Sequence, residues 1–246
     1  AENWSVARFT QAADTCVQDI LRRGKRPVLV GGTGLYLDAL LRGIDFAAGS
    51  QDTPLRRQLQ ERLRREGAET LLEELRRIDP DSAARLHLRD EKRILRALEV
   101  YQATGETITL HDRRTQAQPP RYEGVFIGLS FKDRQDLRDR IDCRVDDMVA
   151  RGLLDEVRSL LQSGLPRTAT AWQAIGYKQF LAVADGRMTE AEAVAEVKLR
   201  SRQYAKRQLT WLRRNEAIHW ILWDKVPDFP SGLQNATKFL TSSGVC

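Results

Sequence analysis

Residues 26–41, RPVLVGGTGLYLDALL, decide the fold class of this chain. Val28-Leu29-Val30 has the length and β-branched content of a buried strand. The run stops at Gly31-Gly32, where a backbone without Cβ atoms turns sharply and approaches a ligand closely. Thr33 supplies a hydroxyl at a helix N-cap position, and Leu35, Tyr36, Leu37, Leu40 and Leu41 recur as a helical apolar stripe. A strand that breaks into glycines and opens a helix aims free N–H groups and a positive dipole end at one point, where phosphates bind. A tight strand-to-helix turn of any parallel sheet looks the same, and two glycines alone do not separate the readings.

Upstream, Ser5 or Asn3 caps a helix over Val6–Leu21, with Phe9, Ala12, Ala13, Cys16, Val17 and Ile20 inward, and Gly24 ends it. A parallel strand needs neighbours on both sides. Few candidate strands follow, so further strands are expected upstream. After the loop Ala47–Thr53 the chain becomes helical and highly charged: Pro54–Glu66, Ala68–Ile78, Pro80–Leu86 and Glu91–Ala103. Asp79-Pro80 is a helix start, Asp90 an N-cap and Gly105 a stop, while Arg114–Arg121 reads as a linker. A strand at Val125–Leu129 opens the last block. Leu137, Ile141, Val145, Met148 and Val149 then mark a long helix, Gly152 breaks it, and Leu153–Leu161 continues. Trp172–Val183 and Thr189–Arg214 are further helices, the second capped by Thr189 with Glu192 three residues on, and Ile218–Leu222 is a closing strand. Residues 1–46 and 122–246 thus form an α/β core, with 47–121 as a helical insertion.

No apolar run is long enough for a membrane span, and no signal peptide is visible. Cys16, Cys143 and Cys246 match no metal or disulfide spacing, and His87, His111 and His219 are equally scattered, so no zinc site is expected and a reducing cytoplasm is the simplest home. The net charge of +6 is concentrated: Lys198–Arg214 holds seven basic residues and no acidic one. Arg202, Lys206 and Arg213 share one flank of that helix and Arg200, Arg207 and Arg214 the other, with Val194, Val197, Tyr204, Ala205, Trp211 and Leu212 inward. The planar donor fork of arginine suits phosphate, so this helix reads as a phosphate or nucleic-acid contact, with a solvated face as the alternative. Lys92, Arg93 and Arg96 form a second cluster, beside Glu91 and Glu99, which allow a salt-bridged surface instead.

Taken together, VGGTGLYLDALLRG at 30–43, DEKRILRALEVYQATG at 90–105, QAIGYKQF at 173–180 and RSRQYAKRQLTWLRR at 200–214 resemble the tRNA dimethylallyltransferases, the isopentenyl-tRNA transferase family. The strings run in family order and cover nearly the whole chain. The resemblance implies a nucleotide-kinase-like parallel-sheet core of the P-loop kind with a helical insertion that clasps a tRNA anticodon stem-loop. It implies transfer of a dimethylallyl group from dimethylallyl diphosphate to the exocyclic amine of the adenosine 3′ of the anticodon. Mg²⁺ is the implied cofactor, and a cytoplasmic monomer the implied state.

By the same resemblance Gly31, Gly32 and Thr33 line the reaction channel, Thr33 contacting the adenosine or the diphosphate. Arg56, with Thr33 a candidate catalytic residue, lies near the tRNA at that channel, and Arg202 reaches the diphosphate. The tRNA-contact segments carry over to Lys92, Arg93, Ile94, Leu95 and Arg96, and to Lys198, Leu199, Arg200, Ser201 and Gln203, with Lys206 and Arg207 beyond. Tyr204 and Trp211 are read as core. The family's GPTASGKT-type phosphate loop and DSxQVY-like segment, which bring the diphosphate cradle, most Mg²⁺ ligands and the general base, do not occur in residues 1–246. The chain alone is therefore expected to be inactive, and the absence of a zinc-finger extension points to a bacterial type. A non-catalytic tRNA-binding remnant, a nucleotide-kinase relative and an adenylate isopentenyltransferase acting on free nucleotide are the alternatives. Two separated cationic surfaces favour a polynucleotide acceptor.

Overall fold

In the computed structural model, which describes residues 4–44 and 53–245, the chain divides into two units. The Asn3 cap, nearly all of the loop read at Ala47–Thr53, and Cys246 lie outside the described residues.

The first unit comprises Val6–Leu29 and Leu35–Glu123 and is helical. Its elements are α1 (Val6–Arg22), α2 (Gly34–Arg42), α3 (Pro54–Ile78), α4 (Pro80–Ala83), α5 (Glu91–Thr104) and α6 (Ile108–Ala117). Leu59, Leu71, Leu72 and Leu75 of α3 close on Ile94, Leu95 and Leu98 of α5 to make its core. The helix α3 bends at Gly67, whose φ of +82° only glycine adopts without strain, and this is the break between the two helices read from the sequence. Asp79 ties the unit's far end together. Its buried carboxylate accepts from the Ser82 N–H at the head of α4 (3.0 Å), and from the Thr109 N–H (3.0 Å) and hydroxyl (2.6 Å) of α6. Burial pushes this carboxyl up, yet the Thr109 and Ser82 bonds, aided by the Arg85 charge, hold it below the usual carboxylate range.

The second unit contains Val30–Gly34 and everything from Gly124 onward. Strand β1 (Phe126–Phe131) pairs in parallel with β2 (Ile218–Trp223), in a register from Phe126 opposite Ile218 to Phe131 opposite Trp223. The two strands overlap those read from the sequence at Val125–Leu129 and Ile218–Leu222, each running one or two residues further. A side chain at Gly128 would meet Ile218 Cγ2 and Trp220 Cε3 at 2.7 Å, so the pair approaches this closely because that residue is glycine. The crossover runs through α7 (Arg134–Ala150), α8 (Leu153–Gln162), a 3₁₀ turn (Thr170–Gln173), α9 (Tyr177–Ala184) and α10 (Glu190–Leu212). Val145, Val157, Trp172, Phe180, Ala193 and Val197 form the core these helices share. At the start of α10 the Thr189 hydroxyl accepts from the Glu192 N–H and the Glu192 carboxylate accepts from the Thr189 N–H, the reciprocal cap read from the sequence.

Four readings are corrected. Val28–Val30 belongs to no strand or helix, and Val28 and Val30 are 83% and 93% exposed. Among the described residues the ladder runs between β1 and β2 alone, so this segment has no strand to pair with. The stretch 114–117 is the end of α6, not linker, because the Thr107 hydroxyl caps that helix by accepting from the Leu110 N–H. Gly176, with φ of +102°, divides the helix read at Trp172–Val183 into the 3₁₀ turn and α9. A helix absent from the sequence reading, α11 (Phe229–Ser242), covers β2; Asp228 caps it and Pro230 occupies its first turn.

Candidate functional site

The Gly-Gly-Thr-Gly turn rests on one face of α10. Ala193 and Val197 anchor that helix in the core, and Tyr204, Gln208 and Trp211 continue the same face beyond it at helical spacing. The Tyr204 hydroxyl lies 3.5 Å from the Thr33 hydroxyl. Gln208 donates its Nε2–H to the Gly32 carbonyl at 3.0 Å. Trp211 covers Gly34, where an added Cβ would lie 2.0 Å from the indole Cδ1, and a Cβ on Gly32 would lie 2.4 Å from Gln208 Nε2. Gly31 has nothing within 4 Å of its Cβ position. Two of the three glycines are thus required by the approach of α10, and Gly31 alone borders open space. The N–H groups of Gly31, Gly32 and Thr33 find no acceptor among the described residues, so the head of α2 keeps its capacity for an anion.

Tyr204 and Trp211 are not core, contrary to the sequence reading. They are 37% and 38% exposed, and the Arg207 and Arg214 guanidiniums each lie 5.6 Å from one ring centroid. Among the described residues the face that leaves the core after Val197 meets the narrow turn, and the rings overhang it.

Three of the seven basic residues on 198–214 are paired by carboxylates, two of them on α7. Lys198 pairs with Asp146 at 2.6 Å, Arg202 with Asp142 at 2.6 Å and, within α10, Arg200 with Glu196 at 2.6 Å. Lys206, Arg207, Arg213 and Arg214 form no ion pair among the described residues, so the surplus charge sits on the C-terminal half of the helix. Arg202 is not brought to Thr33. At about 100° per residue it lies roughly 160° around α10 from Tyr204, on the opposite face. Leu199 and Gln203 are exposed and Ser201 is half-buried.

In the helical unit Arg56 occupies the first turn of α3, where its N–H caps onto the Thr53 hydroxyl at 3.1 Å. Its Nη1 donates to Glu99 Oε2 at 2.8 Å, and Arg96 Nη1 reaches the same oxygen at 3.2 Å. Glu99 is 2% exposed, whereas the two guanidiniums keep 20% and 28% of their side-chain surface. A buried carboxylate therefore holds two arginines with part of each fork outward. Lys92 and Arg93 are exposed on the same helix. Ile94 and Leu95 are 0% and 4% exposed and belong to the core, because successive helical residues point to different faces; their side chains cannot touch a nucleic acid. Gln208 was not singled out from the sequence, and Glu99 was read only as a surface partner of the basic cluster. Glu99 was detectable as a carboxylate one residue after Leu98 and four after Leu95, on the buried side of an apolar stripe.

Among the described residues no group of three or more His, Cys, Asp or Glu side chains is placed to hold a metal ion, and no helix is long and apolar enough to cross a membrane.

Residues 1–215 fit the family model described as IPP transferase. The chain is 37% identical over 244 residues to a tRNA dimethylallyltransferase of Acetivibrio thermocellus, spanning 99% of this chain and 78% of that protein. It is 46% identical over 222 residues to tRNA dimethylallyltransferase 1 of Trichlorobacter lovleyi, spanning 90% and 72%. Among solved structures it is similar to the full-length tRNA isopentenylpyrophosphate transferase of Bacillus halodurans, with TM-score 0.65, 35% identity, and 99% and 74% of the two chains covered. It is also similar to a eukaryotic dimethylallyltransferase acting on tRNA, with TM-score 0.73, 28% identity, and 96% and 60% covered.

Proposed function

Because this chain belongs to the IPP transferase family, we propose that it transfers a dimethylallyl group from dimethylallyl diphosphate to the exocyclic amine of the adenosine 3′ of a tRNA anticodon. The observation that carries this reading is the family match over 1–215 together with the Gly-Gly-Thr turn held against α10. In the reaction a bond forms between the adenine amine nitrogen and the allylic carbon, the bond from that carbon to the diphosphate oxygen breaks, and the nitrogen gives up a proton. Negative charge grows on the leaving diphosphate, so fixed donors and cations there accelerate the step.

In this reading Gly31, Gly32 and Thr33 line the channel. The unpaired N–H groups of the turn face developing charge, and the Thr33 hydroxyl, set beside Tyr204, contacts the diphosphate or the adenosine. Gln208 holds the turn by its Gly32 bond. Arg56 and Arg96, oriented by Glu99, and Lys92 and Arg93 contact the tRNA, as do Lys206 and Arg207. The acceptor base leaves its stack to reach the donor, and the overhanging Tyr204 and Trp211 rings offer it an aromatic face. Diphosphate chemistry of this kind is assisted by Mg²⁺, for which the described residues assemble no cluster of three His, Cys, Asp or Glu ligands. A cytoplasmic monomer completes the reading.

The test is incubation of residues 1–246, supplied with a relative's phosphate-loop segment, with labelled dimethylallyl diphosphate and tRNA, followed by nucleoside analysis; residues 1–246 alone are expected to give no label. With the segment supplied, label on the adenosine 3′ of the anticodon is expected. Label on free adenylate with none on tRNA would replace the acceptor, and label on neither overturns the reading.

A further inference from the structure

On the face of α10 opposite the Gly-Gly-Thr turn lies a groove of about 540 Å³, walled by α7 and α10. Its cationic lining is Arg134 and Arg138 from α7 and Arg202, Lys206 and Arg213 from α10. Asp142 is its single carboxylate, and Arg202 already engages both of that carboxylate's oxygens at 2.6 and 2.7 Å. The other four cations are unpaired among the described residues and exposed. Leu137, Ile141 and Leu209 supply an apolar floor.

Helix stability does not account for this clustering. Arg134 is the first residue of α7, where the positive end of the helix dipole disfavours a cation. Arg138 stands one turn further along the same wall, and like charges at that spacing repel. Arg213, at the carboxyl end of α10, is the one member the dipole favours. Five like charges along a groove whose one lining carboxylate is already engaged by Arg202 are the electrostatic footprint of a polyanion. The length points to a polymer. Lys206 and Arg213 are about 10.5 Å apart along the helix. One nucleic-acid strand presents about two or three phosphates over that span, while a free phosphate or diphosphate would engage only one end.

We propose that the groove between α7 and α10 seats the sugar–phosphate backbone of the tRNA substrate, gripped by Arg134 and Arg138 on one wall and Lys206 and Arg213 on the other. The assignment rests on the transferase reading and adds Arg134, Arg138 and Arg213 to its tRNA contacts, on a face separated from the Thr33 turn by the thickness of α10. Arg202 contributes charge from a position fixed by Asp142, and the apolar floor takes the sugar faces.

The experiment compares the protein with its R134A/R138A variant for tRNA affinity across a salt series, for the KM of dimethylallyl diphosphate, and for melting temperature. The expected variant binds tRNA about tenfold more weakly at 0.1 M salt, its log–log salt slope is shallower by about 1.4–1.8, the donor KM is unchanged, and the melting temperature holds. The charge-keeping R134K/R138K variant restores the slope, which keeps the result readable should the alanine variant melt early. An unchanged slope and affinity overturns the groove assignment. So does a raised donor KM with tRNA binding intact, which would give the groove to the diphosphate. A variant that loses tRNA affinity, beside a parent that transfers no prenyl group even when supplied with a phosphate-loop segment, leaves the groove standing and removes the transferase reading; transfer with an indifferent variant does the reverse.

Discussion

Gln208 on α10 donates a 3.0 Å hydrogen bond to the carbonyl of Gly32, 176 residues earlier in the chain. Sequence reading treats the glycines of this turn as room for a ligand. The structure gives most of that room to α10, whose Gln208 and Trp211 occupy the space that side chains at positions 32 and 34 would need. The chemistry at Thr33 is then only as well placed as the helix behind it.

Gln208→Ala should therefore lower kcat for prenyl transfer about tenfold and leave tRNA affinity within twofold, because the bond orients the turn without touching substrate. Steady-state kinetics alongside a binding titration decide it. Equal losses in kcat and affinity would count against positioning.

Gly34→Ala is expected to destabilise the protein by about 1–3 kcal/mol, since its methyl group must displace the Trp211 indole or lift the turn. Urea unfolding measures the loss. Combining it with Trp211→Leu should recover part of it, and strict additivity of the two changes would show that they do not touch.

Glu99→Ala removes a buried carboxylate from between Arg56 and Arg96 and should cost about 3 kcal/mol of stability. Thermal and urea unfolding report this directly. Well-folded protein surviving at low temperature should also show weaker tRNA binding, as two guanidiniums lose their fixed direction.

Asp79 supplies a pH signature. Its carboxyl titrates below the usual range when folded, so its stabilisation is complete above the unfolded value of about 3.9 and is lost as pH falls through the lower folded value. Asp79→Asn should be about 1–2 kcal/mol less stable than the parent at pH 6, with the gap narrowing below pH about 4. A gap independent of pH between 2 and 6 would refute the assignment.

Much of the fold was legible because its signals are local. The Thr189 and Glu192 cap, the Gly67 break and the apolar runs of β1 and β2 are each written in a few neighbouring residues. Val28–Val30 failed for the opposite reason: β-branched residues mark a strand only when a neighbour supplies the ladder. The site was half legible. Lys206 and Arg207 keep the free charge their composition promised. The acidic partners of Lys198 and Arg202, by contrast, sit 52 and 60 residues away on α7, beyond any spacing rule. Tyr204 and Trp211 were misjudged because periodicity identifies a helix face but does not say where the material covering it ends.

The parallel pairing of β1 with β2 also sets a timetable. Phe126 finds its partner in Ile218, about 90 residues later, which a ribosome takes roughly 5–20 s to make. During that interval α7 to α10 can pack on their own core, whereas β1 leaves the tunnel with its hydrogen-bonding edge bare. Substitutions that weaken the Val145, Phe180 and Val197 cluster should therefore lower the yield of soluble protein during expression more than they lower the equilibrium stability of the finished chain.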